Sequence, residues 1–265
     1  MFKSSEKGVI NRKLKKNRIN NFVFTAYNNV VETITVAQCA QNGQKDLYIP
    51  YVYKKLKEKF GFQDSECRVE YENGENFLIF QGGNGLCSRV KKSANEYISD
   101  VLSIGYKYDF FRKNLPLPLL SDKERFLLYV ALVAADYHED KRYILHRLDG
   151  LTNCSINGVF NFRLRELKSR WTEVIEYIPA DFGKYSLEGF LDYVATDGEG
   201  RAYLKDGKVY DENYRLMDKS SLLGKNTPIA DILLSGVNQV YCFGETDVET
   251  KTFLKKYYKD KAIFC

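Results

Sequence analysis

The chain has 265 residues, of which 44% are hydrophobic and 28% charged, and it contains 20 tyrosines, 17 phenylalanines and only 5 prolines. This composition excludes a disordered or collagen-like chain and predicts one or two globular domains with a packed core. The six cysteines are at least 20 residues apart, no apolar segment follows the basic N-terminal residues, and the longest apolar run, Phe126 to Ala135, has ten residues. We therefore expect a cytoplasmic protein with reduced thiols, no membrane insertion, no dense disulfide framework and no zinc ribbon.

Positive charge is concentrated at the N-terminus: the net charge of the chain is +5, residues 1–21 carry +6 and the remainder carries −1. The candidate contacts to an anionic partner in this tail are Arg12, Lys13, Lys15, Lys16 and Arg18. A nucleic acid would be attracted mainly to the tail, because the body lacks the cationic excess of a dedicated nucleic-acid-binding domain. A merely solvated tail is the alternative.

After the basic tail of residues 1–21, residues 22–92 form a mixed, strand-rich region that predicts a small sheet with one or two helices. The individual predictions are a strand at Phe22–Tyr27, a strand or a helix at Val30–Ala40, a helix at Pro50–Phe60, a hairpin of Cys67–Tyr71 and Phe77–Phe80, and a strand at Leu86–Val90. The hairpin depends on Asn73-Gly74, a pair that favours tight two-residue turns.

Residues 93–196 form a helical block. Ser93 with Glu96, and Ser121 with Glu124, have the spacing of capping boxes and each predicts a helix start. The second helix contains the apolar run Phe126 to Ala135, which predicts a central helix buried on most sides; it turns polar at Asp136 and is expected to continue toward Leu148. Two further helices are predicted, an amphipathic one near Phe160–Ile178 and a shorter one that Ser186 caps and Asp197-Gly198 ends.

Residues 197–265 form a C-terminal α/β region. The pattern predicts a meander of Ala202–Leu204, Lys208–Tyr210 and Tyr214–Met217, a helix that begins at Thr227-Pro228 and ends at Gly236, a strand at Gln239–Phe243, a helix from a Thr246/Glu249 capping box to about Tyr258, and a final strand at Ala262–Cys265. The last strand, helix and strand form a βαβ unit, so the two strands should be parallel. The fold class is α+β: a central helical block lies between the N-terminal mixed α/β segment and the C-terminal meander plus βαβ unit.

No chemical motif identifies an active site. The two histidines, His138 and His146, do not have the H-E-x-x-H spacing, and no cysteine lies in a protease-like signature. The glycine-rich segment 82–85 lacks the G-K-[ST] of a phosphate loop and is predicted to be a turn. Gly244, before a predicted helix, is a weak signal of an anion site, and a capped helix without a ligand is the alternative. We therefore predict no catalytic residue, no metal and no cofactor. Arg163 and Arg165 form a second candidate partner surface, with a solvated, ion-paired helix face as the alternative.

Several segments together resemble the YtxC-like family of sporulation proteins from endospore-forming bacteria. The resemblance is carried by Ile156–Leu167, by Ser186–Tyr193, by Lys205–Asp211, and by Pro228–Gly236 followed by Val240–Phe243. It implies a sporulation context without an assigned activity.

We therefore expect a non-enzymatic interaction or regulatory protein of sporulating cells with an unidentified protein partner. The alternatives are a nucleic-acid-associated factor that uses the N-terminal tail with Arg163 and Arg165, and an enzyme with a dispersed site.

Overall fold

The computed structural model describes residues 31–39, 48–151 and 153–265, which form two separate sheets on either side of a helical centre. The α+β fold class is confirmed. None of the helices in these residues combines the length and hydropathy that a bilayer crossing requires. All six cysteines lie in the described residues and are free.

The N-terminal sheet contains β1 (Val31–Cys39), β2 (Cys67–Glu72), β3 (Glu75–Gly83) and β4 (Asn153–Ser155) in the order β2-β3-β1-β4, and α1 (Tyr48–Phe60) packs on it. The predicted hairpin of β2 and β3 is confirmed, with Asn73 and Gly74 at φ values of 53° and 82°. The ambiguous segment is the strand β1, since Ile34, Val36 and Gln38 alternate toward the core. The predicted strand Phe22–Tyr27 lies outside the described residues.

One continuous helical segment follows β3. It comprises α2 (Asn84–Asp100), a π-helical stretch (Val101–Tyr106) and α3 (Lys107–Asn114). The predictions of a strand at Leu86–Val90 and of a helix start at Ser93 are wrong. The chain enters the helix directly after β3, because Cys87, Val90, Ala94 and Ile98 form one buried stripe with helical spacing.

The helical centre contains α4 (Asp122–Ala135), α5 (Tyr137–Leu148), a single turn (Ile156–Gly158) followed by a π-helical stretch (Val159–Arg163), α6 (Arg165–Tyr177) and α7 (Lys184–Asp197). Helix α4 has the predicted Ser121/Glu124 capping box and is buried against α3 and α7. It does not continue to Leu148, because Asp136 leaves helical geometry at φ −111° and ψ 10°. Helix α7 begins after Gly183 and not at Ser186.

The C-terminal sheet has the strand order β7-β6-β5-β8-β9. Its strands are β5 (Arg201–Lys205), β6 (Lys208–Tyr210), β7 (Leu216–Met217), β8 (Gln239–Phe243) and β9 (Ala262–Phe264). The same region contains α8 (Pro228–Ser235), α9 (Val248–Tyr257) and 3₁₀ turns at Lys219–Leu223 and Lys259–Lys261. The meander, the Thr227 cap and the parallel pairing of β8 with β9 are confirmed. The prediction of a capping box at Thr246 is wrong: Asp247 caps α9 by accepting a hydrogen bond from the Thr250 amide at 2.8 Å.

Candidate functional site

The structure places only two of the seven predicted partner residues. Arg163 ends the second π-helical stretch and Arg165 begins α6; both are exposed, and neither forms an ion pair with another described residue. The carboxylate of the neighbouring Glu166 already has partners, since it accepts hydrogen bonds from Arg147 at 3.1 Å and from the Tyr143 hydroxyl at 2.8 Å. The tail residues Arg12, Lys13, Lys15, Lys16 and Arg18 lie outside the described residues.

The C-terminal sheet has two chemically different faces. On β5 and β8 the buried residues Ala202, Leu204, Val240 and Cys242 point to the side that α8 covers. The alternate positions point to the opposite side and are largely aromatic. We call this opposite side the aromatic face; its aromatic residues are Tyr203, Tyr210, Tyr214, Tyr241 and Phe243.

Tyr203 lies at the centre of the aromatic face. Its ring stacks on that of Tyr214 with centroids 4.8 Å apart and an interplanar angle of 12°. The rings of Tyr241 and Phe243, on the adjacent parallel strand, lie 5.7 and 6.2 Å from it. Tyr214 is 69% exposed, so the upper surface of the stack is open to solvent.

A tight loop positions Tyr214 over Tyr203. The Asp211 side chain accepts hydrogen bonds from the backbone amides of Asn213 at 2.8 Å and Arg215 at 2.9 Å. Tyr214 has a φ of 55°, a left-handed conformation that is uncommon for a residue other than glycine. The loop therefore folds back across the sheet instead of extending away from it, and this brings the Tyr214 ring onto the face.

The same face is basic. Arg201, Lys205 and Lys208 share its side of β5 and β6, and none of the five strands contains an acidic residue. Lys205 and Lys208 are directly opposite each other in the ladder, a like-charge arrangement that destabilises a sheet. Arg201 lies 3.6 Å from Glu212, but both side chains are more than half exposed, which makes this ion pair weak.

The most enclosed charges lie between the helices. Lys107 is fully buried, its ammonium lies 2.7 Å from Asp140 and 3.4 Å from Asp136, and the Trp171 indole donates to Asp140 at 2.9 Å. Asp100, at the other end of the first π-helical stretch, accepts hydrogen bonds from the Tyr137 hydroxyl at 2.6 Å and from Lys141 at 2.7 Å. Burial, followed by Asp100, raises the pKa of Tyr137. These groups satisfy one another and connect α2 and α3 to α5, so their role is structural.

The remaining chemical candidates do not form a site. No group of three or more His, Cys, Asp or Glu side chains among the described residues is arranged to hold a metal ion. Glycines 82–85 lie at the junction of β3 and α2 rather than in a turn between strands. The N-terminus of α9, after Gly244, is already capped by the Asp247 carboxylate, which occupies the position that an anion would need.

Comparison with protein-family models, curated proteins and solved structures finds no match. The candidate site is therefore defined by the geometry of the aromatic face alone. The sequence analysis identified its strands but not the face itself. The available signal was the alternation of Tyr203, Tyr241 and Phe243 with buried residues in two predicted strands.

Proposed function

We propose that this protein is a non-enzymatic binding protein whose partner is single-stranded nucleic acid, held on the aromatic face. The observation that carries the proposal is the open stack of Tyr214 on Tyr203 beside Tyr241 and Phe243, on a face whose strands contain basic residues and no acidic ones. Unpaired bases stack on aromatic side chains in many proteins that bind single strands, and a sheet surface is a common platform for them.

The basic residues suit the phosphates of such a strand. Along β5, Arg201 precedes Tyr203 and Lys205 follows it, with Lys208 beside Lys205 on β6. The cations therefore flank the rings, which allows phosphates to contact them while bases contact the aromatic side chains. The tail, with its charge of +6 in residues 1–21, would add contacts that do not depend on sequence. Duplex DNA suits the face less well, since its bases are stacked on one another and their faces are not accessible.

The setting of the proposal comes from the resemblance to the YtxC-like family, which implies a sporulation context. In that setting nucleic acid takes the place of the protein partner expected from the sequence. Crosslinking in sporulating cells, followed by recovery of the protein with bound nucleic acid, tests this part of the proposal separately from the binding geometry.

The binding proposal is tested by fluorescence anisotropy with a labelled single-stranded oligonucleotide of about 12 nucleotides. Loss of a stacking ring typically costs about 1–3 kcal/mol, so Tyr214→Ala should raise the Kd about five- to 150-fold. Lys205→Gln with Lys208→Gln should lower the slope of log K against log salt by about 1.4, at about 0.7 for each phosphate contact on a single strand.

Tyr71→Ala is the matched control, because Tyr71 is a tyrosine with the same 69% exposure but lies on the N-terminal sheet. It should leave the Kd unchanged. If Tyr214→Ala and Tyr71→Ala bind the oligonucleotide equally well while both melt like the parent, the aromatic face is not the binding site. If oligonucleotide binding disappears only when residues 1–21 are deleted, the binding site is the tail.

A further inference from the structure

A second surface feature lies where several helices end. Helices α4, α7 and α8 all terminate around a cavity of about 410 Å³, and α5 begins beside it. Its polar side chains are His138, Tyr193, Asp197, Glu199 and Ser235, and its apolar wall includes Val194 and Leu233. This volume is within the range of small-molecule sites, which combine an apolar wall with a few convergent polar groups.

Backbone forms part of the cavity wall. A Cβ at Gly198 would lie 2.4 Å from the Gly236 carbonyl oxygen, so no larger residue fits at this position without displacing the chain. The two segments are also tied by a hydrogen bond from the Glu199 amide to the Gly236 carbonyl at 2.8 Å. The positions of Asp197 and Glu199 relative to α8 are therefore fixed by a close backbone contact.

The side chains of His138, Tyr193, Asp197 and Glu199 are exposed at the mouth of the cavity and form few hydrogen bonds or ion pairs with the described residues. Asp197 accepts one long hydrogen bond, from the Tyr193 hydroxyl at 3.3 Å, and neither Asp197 nor Glu199 forms an ion pair with any described residue. The His138 ring makes no hydrogen bond to the part of the chain that the structure describes, and its Nε2 lies 3.5 Å from the position that a Cβ at Gly236 would occupy. Partial burial, followed by Lys219, Lys141 and Arg142, lowers the pKa of His138 and so favours the neutral imidazole.

The surrounding charges favour a cation. Three helices direct their C-termini toward the cavity, and each helix C-terminus carries a partial negative charge. The positive N-terminus of α5 opposes them, but Glu139 lies in its first turn. Lys219, Lys141 and Arg142 are the cations nearest in effect to His138. The Lys219 ammonium donates to the Leu234 carbonyl at 3.2 Å and lies 4.0 Å from the centre of the Tyr137 ring, and Lys141 donates to Asp100 at 2.7 Å.

We propose that this cavity binds a small organic cation, an alkylammonium or guanidinium compound. Asp197 and Glu199 would accept hydrogen bonds from its charged group, the neutral imidazole of His138 would accept a further one, and the Tyr193 ring, which is 55% exposed, offers a cation–π surface. The alkyl part would lie along Val194 and Leu233. The site is independent of the aromatic face, where the ligand is an anion.

The test is isothermal titration calorimetry of the full chain with 1,4-diaminobutane, with 1,4-butanediol as a neutral molecule of the same length. We expect saturable one-to-one binding of the diamine and none of the diol. The double variant Asp197→Asn with Glu199→Gln should weaken the diamine about tenfold or more, because it removes both charged acceptors. The control, Asp206→Asn with Glu245→Gln, removes the same charge at exposed positions that follow β5 and β8 and should change the Kd less than about twofold.

The melting temperature of the Asp197→Asn/Glu199→Gln protein should match that of the parent, which shows that a binding defect does not come from misfolding. Equal weakening by the two double variants would overturn the proposal, since it would indicate attraction to net charge alone. Failure of the diamine to saturate, or equal binding of the diol, would also overturn it. The oligonucleotide Kd of the Asp197→Asn/Glu199→Gln protein should be unchanged, which separates this result from the proposed function.

Discussion

Replacement of Lys107 by Met tests whether the buried charges between the helices stabilise the fold as a unit. The side chains of Lys107 and Asp140 are 0% and 3% exposed, and the two charges lie 2.7 Å apart. Met fills a volume close to that of the lysine stem, so the substitution removes the cation without leaving a large cavity. Asp140 would retain only the Trp171 indole as a strong partner. Breaking a buried pair in this way typically costs about 3–5 kcal/mol of unfolding free energy, because a buried charge is left uncompensated.

A second variant separates loss of the pair from damage to packing. Lys107→Met with Asp140→Leu removes both buried charges. It leaves the Trp171 N–H unpaired and Asp136, which is 47% exposed, to solvent, so it should be destabilised by about 1–3 kcal/mol, less than the single variant. Urea unfolding followed by tryptophan fluorescence measures both values, and Trp171, the one tryptophan of the chain, lies in the cluster itself. A Lys107→Met protein as stable as the parent, or a double variant less stable than the single, would refute the reasoning.

Two further stability predictions follow from the core. Leu128→Ala, in the buried centre of α4, should cost about 2–5 kcal/mol in urea unfolding, whereas Leu119→Ala, at a position that is 63% exposed, should change stability by less than about 0.5 kcal/mol; similar costs would mean that α4 is not central. Burial raises the pKa of Asp231 from 3.8 to about 6, so the folded chain keeps this proton to a higher pH than the unfolded chain does, and the free energy of unfolding should fall by about 2 kcal/mol as pH rises from 4 to 7. Asp231→Asn can keep the hydrogen bonds with Ser220 and should flatten this dependence; an unchanged pH profile would contradict the assignment.

Local sequence signals were sufficient to predict most of the secondary structure of the C-terminal region. The turn at Asp206-Gly207, the cap at Thr227 and the stop at Gly236 each act within a few residues, so strands and helices between them could be predicted from sequence. The same reasoning failed at α2, where a glycine-rich segment suggested a turn although a helical stripe had already begun at Cys87. Asp136, where α4 ends, contacts Lys107, which is 29 residues away, and no local sequence pattern indicates this contact.

The candidate sites differ in how much of each could be predicted from the sequence. Alternation within β5 and β8 indicates which residues of each strand share a face, but it does not show that the two strands are neighbours or that the loop before β7 returns Tyr214 to that face. The cavity is still less accessible to sequence reasoning, because its wall comes from four helices. Arg163 and Arg165 were selected for charge alone, and the structure gives them exposure without converging partners.

Both proposed sites depend on the parallel pair β5 and β8. The cavity is formed by the segments that lead into these strands, Gly198-Glu199 before β5 and Ser235-Gly236 before β8, while the aromatic face is formed by the strands themselves. The charges change sign between the two: the approach segments carry carboxylates, and the outer side of the strands carries Arg201 and Lys205. A single ligand class cannot satisfy both regions, because a phosphate backbone favoured on the face is repelled at the cavity and an organic cation favoured in the cavity is repelled at the face. The opposite charges of the cavity and the aromatic face are therefore the physical reason for proposing two separate ligands, one for each region.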